Sequence, residues 1–133
     1  MKLKTLIVIM ALLSIIWGVG FILVPVFFWS LYGLALDSGG IYISRMLGVV
    51  FFMLGLILWF ARKEQSVASL RAITIGLFAG NALGFVVALY GQLTAGVNLL
   101  NLVGVVAYLL LALGFGYYLV KPARSDSKAL SAN

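Results

Sequence analysis

Asp37, Glu64 and Asp126 are the only carboxylates in the chain, and histidine and cysteine are absent. That inventory limits the chemistry. Without thiolate or imidazole there is no zinc site, no haem ligation by histidine, no cysteine nucleophile and no disulfide. Ser14 and Ser44 lie in apolar stretches, with no histidine to activate them and no base nearby. All three acids fall in polar segments, so proton-coupled transport lacks its usual intramembrane acid or histidine. The expectation is a protein without enzymatic chemistry, cofactor or metal.

One arginine and a few amides remain. Arg45 is followed by an uncharged run, Met46 to Ala61, about 24 Å long as a helix. A hydrocarbon core is about 30 Å thick, so Arg45 must lie at its edge or within it. An arginine at a helix centre costs about 2.5–3.5 kcal/mol to insert, less near the edge, where the side chain snorkels. The plain reading of Arg45 is such an anchor, touching lipid phosphate or pairing with Asp37. The functional reading is a charge facing the bundle, able to hold an anionic group together with Gln92, Asn98 and Asn101 at similar depth. Asn81, near the middle of an apolar stretch, reads first as an interhelical hydrogen bond, worth around 0.6 kcal/mol. Its alternative is a ligand-contacting amide, with Tyr108 as a neighbour.

These residues need elements to hold them. The sequence is 65% hydrophobic and 9% charged, with mean hydropathy +1.22. A soluble domain carries about 25% charge to wet its surface. The fold expected is therefore all-α, an integral membrane four-helix bundle. Its helices run over about 6–27, 41–61, 71–92 and 97–120, with a flexible cytoplasmic tail over 121–133. The first apolar run is too long for a signal peptide and is read as uncleaved. Phe27 to Gly40 is too short and glycine-rich to span; it is expected along the membrane surface, with Asp37 or Ser38 capping the next helix. Aromatics there, and Trp59, Phe60, Tyr90, Tyr117 and Tyr118, fit interfacial belts.

Charge sets the orientation. Of the nine basic residues, all but Arg45 fall on one side if the N-terminus is inside: Lys2, Lys4, Arg62, Lys63, Arg71, Lys121, Arg124 and Lys128. By the positive-inside rule both ends are cytoplasmic, N-in/C-in. The net charge of +6 is then a topology signal, not a nucleic-acid footprint. Small four-helix multidrug exporters resemble the chain in size but rely on a first-helix glutamate, and Leu6 to Phe28 has none.

Ala72, Gly76, Gly80, Gly84 and Ala88 put a small residue at every fourth position of the third helix. Such a row makes a groove that permits close helix contact in lipid. It is expected to be the central packing face. Gly18, Gly20, Gly48, Gly55, Gly104, Gly114 and Gly116 are read as further close-packing positions.

A first helix ending in proline, the turn Leu31-Tyr32-Gly33, then Arg45-Met46-Leu47-Gly48 and Leu54-Gly55 resemble the small four-helix membrane proteins of the DoxX-like type. The resemblance covers the first half of the chain. It implies an accessory or scaffold role, transfers no functional residue, and makes Arg45-x-x-Gly48 a landmark.

Two functions follow as expectations. One is a non-catalytic accessory or scaffold subunit that packs against itself or a larger membrane complex through the third-helix groove. The other is a small binder or carrier of lipid or another hydrophobic molecule, with a polar site near Arg45. Membrane lipids are the expected partners, with no nucleic acid, and a bacterial inner membrane the expected location.

Overall fold

Long apolar stretches satisfy their backbone polar groups internally by becoming helices. The computed structural model describes residues 2–121. In it α1 (Leu3–Leu23), α3 (Ser38–Ala61), α4 (Val67–Thr94) and α5 (Asn101–Val120) are long and apolar enough to cross a membrane. A short α2 (Pro25–Ser30) follows α1, and no strand occurs among the described residues. The tail expected over 121–133 lies, after Lys121, outside the described residues.

The ends expected at 61 and 120 stand, and local chemistry moves the other boundaries. The single first helix expected over 6–27 is split at Val24, which sits at φ −134° and ψ 53°. Proline disfavours the helical region in the residue before it, yet is at home in the first position of a new helix. Asp37 does cap α3, accepting from the Gly40 N–H at 2.6 Å, and the helix starts at Ser38. The polar loop expected from Arg62 to Arg71 is shorter, because Ser66 caps α4 by accepting from the Ser69 N–H at 3.3 Å. Glu64 holds the preceding turn, its carboxylate accepting from the Gln65 and Ser66 N–H groups, each at 2.8 Å. Those bonds hold its carboxyl below the usual carboxylate value. α5 starts at Asn101, not 97, since residues 97–100 form a turn in which the Asn98 side chain accepts from the Leu100 N–H.

The helices pack as two antiparallel pairs, α1 with α3 and α4 with α5. In the first pair glycines bring backbone against backbone. A Cβ on Gly48 would lie 2.8 Å from the Gly18 carbonyl oxygen, and one on Gly55 3.0 Å from the Ala11 carbonyl oxygen. Ala11 with Gly18, and Gly48 with Gly55, form a seam at seven-residue spacing. In the second pair Gly84 receives the Tyr108 ring and Gly116 the Phe78 ring.

The small-residue row of the third helix is not the central packing face. α4 buries Thr74, Leu77 and Asn81, whereas Ala72, Gly76 and Gly80 are exposed. A Cβ on Gly76 or Gly80 would meet nothing within 4 Å. A row at every fourth residue drifts around the helix, so only Gly84 and Ala88 turn inward. Gly104 also meets nothing, unlike the other glycines expected to pack.

The pairs join through α1 and α5 near the chain's N-terminal end, where Leu6, Ile7, Ala11, Leu58, Leu77 and Phe115 form one buried cluster. α3 has no extended contact with α4 or α5. Towards the other end the pairs therefore part.

Candidate functional site: a cavity between the helix pairs

The space left by that parting is a cavity of about 450 Å³. Met10, Ser14, Asn81 and Leu111 line it next to the buried cluster, which forms its floor. Tyr32 and Leu34 from the segment before α3, and Val97 and Leu100 from the turn before α5, line the opposite end.

One wall is aromatic. Phe21 stacks on Trp29 at 5.3 Å between ring centroids and meets Phe51 edge-on at 6.0 Å. Trp17 meets Phe28 edge-on at 5.1 Å. Gly20 makes this possible, since a Cβ there would collide with the Phe28 ring. Trp29 is fixed further by donating from Nε1 to the Ser44 Oγ at 2.8 Å. Phe28 and Trp29, expected in an interfacial belt, are thus folded back against α1. Ring pairs of this kind add about 0.5–1.5 kcal/mol each beyond the area they bury.

A clasp between loops closes the end beyond. The Asn98 Nδ2 donates to the Leu31 carbonyl at 2.7 Å, and its backbone N–H donates to the Tyr32 carbonyl at 3.0 Å. Gly33, at φ +78°, lets the chain turn beneath Asn98. Burial, and then the neighbouring Tyr108 phenol, push the Tyr32 hydroxyl up from its ordinary value.

The polar cluster expected from Arg45, Gln92, Asn98 and Asn101 is only partly assembled. Asn101 donates to the Gln92 Oε1 and to the Ala88 carbonyl, both at 3.1 Å. Asn98 serves the clasp instead. Arg45 is exposed and does not line the cavity, being turned about 100° from the buried Ser44. Its suggested pairing with Asp37 is not made: the Asp37 carboxylate takes the Gly40 N–H, and Arg45 has no ion pair among the described residues.

Asn81 differs from expectation too. Its Nδ2 donates within α4, to the Leu77 carbonyl at 2.7 Å, and reaches across to α1 only through the Met10 Sδ at 4.0 Å. No hydrogen bond joins it to Tyr108, though both line the cavity. The Asn81 Oδ1 and the Ser14 Oγ are buried without any hydrogen-bond partner among the described residues. Ser14 and the aromatic wall were not in the expected site. A hydroxyl interrupting an apolar run was the available signal for Ser14; nothing in the sequence foretold the folding back of α2. Comparison with protein-family models, curated proteins and solved structures finds no match.

Proposed function

We propose that this chain is a four-span integral membrane protein, both ends cytoplasmic, that binds or carries a small hydrophobic molecule without transforming it. The supporting observation is the cavity: about 450 Å³, mostly apolar and aromatic, with a few convergent polar groups. Those are the usual dimensions and lining of a small-molecule site. The buried, unpartnered polar groups of the site are then those of Ser14 and Asn81, not Arg45, whose exposed position suits a headgroup anchor. A bacterial inner membrane is the location proposed with it.

The test is native mass spectrometry of the purified protein with its co-purifying lipids, beside an Ala107→Trp variant that fills the cavity. A stoichiometric small molecule on the wild type, lost from the variant, is the expected outcome. A bare protein in both preparations overturns the reading.

The outward Ala72, Gly76 and Gly80 favour a second reading, the accessory role that the DoxX-like resemblance implies. The open space beside Gly76 and Gly80 would admit a neighbouring helix. In that case Gly80→Leu dissociates a defined complex and leaves the monomer folded. A monomer holding one ligand counts against it.

A further inference from the structure

Building on the cavity reading just proposed, we infer that the occupant is an uncharged lipophile whose buried end carries a hydrogen-bond donor, a hydroxyl or N–H. The orientation of the Asn81 amide carries the first step. The Leu77 carbonyl can only accept, so the amide atom 2.7 Å from it is the nitrogen. The other Nδ2 hydrogen has only the Met10 sulfur, a weak acceptor, at 4.0 Å. What is left over is an acceptor, Oδ1, with no partner.

Ser14 lies one helical turn beyond Met10 on α1, and its hydroxyl is unpartnered as well. Ser14 is 1% exposed and Asn81 2%, so bulk water does not satisfy either. Buried polar atoms are nearly always paired, and these two unpaired ones belong to residues that line the cavity. A donor that meets the Asn81 Oδ1 while accepting from the Ser14 hydroxyl satisfies both at once. A hydroxyl has both capacities, donor and acceptor.

Charge narrows the class further. No charged side chain lines the cavity. A carboxylate or phosphate would lie without a counter-ion in an apolar chamber, against a carbonyl oxygen that repels it. A plain hydrocarbon would leave the acceptor unpaired. The aromatic wall of Trp17, Phe21 and Phe51 accepts a ring or a chain equally well, so the donor, not the body, is the discriminating feature.

Three matched probes test this: 4-hexylphenol, 4-hexylanisole and 4-hexylbenzoate, titrated into the purified full chain with Trp59→Phe. Trp17 and Trp29 line the cavity and report occupancy by fluorescence quenching. Saturable quenching by the phenol, roughly tenfold weaker binding of the anisole and none by the benzoate are expected. Ser14→Ala and Asn81→Leu should each bring the phenol towards the anisole value while leaving the anisole unchanged. Ser14→Ala keeps the comparison available if Asn81→Leu does not fold. Equal saturable binding of phenol and anisole overturns the donor requirement and leaves the cavity reading standing. Benzoate binding more tightly than phenol overturns the neutrality. Quenching that never saturates with any probe removes the cavity reading itself.

Discussion

Gly48 and Gly80 are the same residue type in helices of similar composition, and a side chain would have opposite consequences at the two. At Gly48 the new Cβ would press on the Gly18 carbonyl and on the Ile22 backbone nitrogen, neither of which can rotate away. Gly48→Ala should therefore lower stability by about 1–3 kcal/mol, the range for overpacking a tight site. Gly80→Leu should leave the monomer no less stable and up to about 1 kcal/mol more stable, since its site is open and leucine is the better helix former. Unfolding midpoints in one detergent compare the two, and a larger loss at Gly80 would restore α4 as the central packing helix. Sequence alone favoured glycines, Gly76 and Gly80, that lie outside the seams within the chain, and for a physical reason. A small residue records that an approach is permitted, not that a partner has come. The seven-residue spacing of Ala11 with Gly18 and of Gly48 with Gly55 was equally available, and it matches a two-helix seam better than a drifting row.

Elements owe their limits to short-range chemistry, which is why those limits were partly legible. Pro25, Asp37 and the Asp-Ser-Gly-Gly turn announce a break and a cap. Ser66 as a cap was less legible, because the polar run Arg62 to Ser66 and the charge at Arg71 let the first turn of α4 pass for loop. The clasp was not legible, since Asn98 and Leu31 are 67 positions apart in the chain. Asn98→Ala removes both of its side-chain bonds, the one to the Leu31 carbonyl and the one from the Leu100 N–H, and should cost about 1–3 kcal/mol. Hydrogen exchange should quicken at residues 31–34 and 97–100 and stay slow in the seam of α1 and α3; unchanged exchange at both loops would mean the clasp carries no load. At the start of α4, Glu64 makes a pH prediction. Its folded value is lowered, so its contribution is present above the usual carboxylate value of 4.5 and fades as pH falls through the lowered one. Relative to their intrinsic exchange rates, the Gln65 and Ser66 amides should lose protection there, and Glu64→Gln should remove that pH dependence.

At the scale of the whole molecule, topology is what gives the cavity its meaning. α4 runs for 28 residues, about 42 Å, which exceeds the hydrocarbon core of about 30 Å. From Arg71 to Gln92, however, the rise is about 31 Å, so its polar ends fit the two faces of a bilayer. Lys4, Arg62 and Lys63 gather around a hollow at the end where the helix pairs join, and the Arg62 guanidinium lies 3.6 Å over the Trp59 ring. The cavity then opens in the half away from this basic end, between two hairpins joined through α1 and α5. Because the chain has no cysteine, introduced ones report its orientation cleanly. Gln65 and Ala95 are exposed and lie in opposite loops. In intact cells a membrane-impermeant maleimide should label Ala95→Cys at once, and Gln65→Cys only after permeabilisation. The reverse pattern would invert the bundle and put the cavity near the cytoplasmic face. Labelling of both without permeabilisation would mean that α4 does not span, and the cavity would then have to be explained in water, where so apolar an exterior could not remain uncovered.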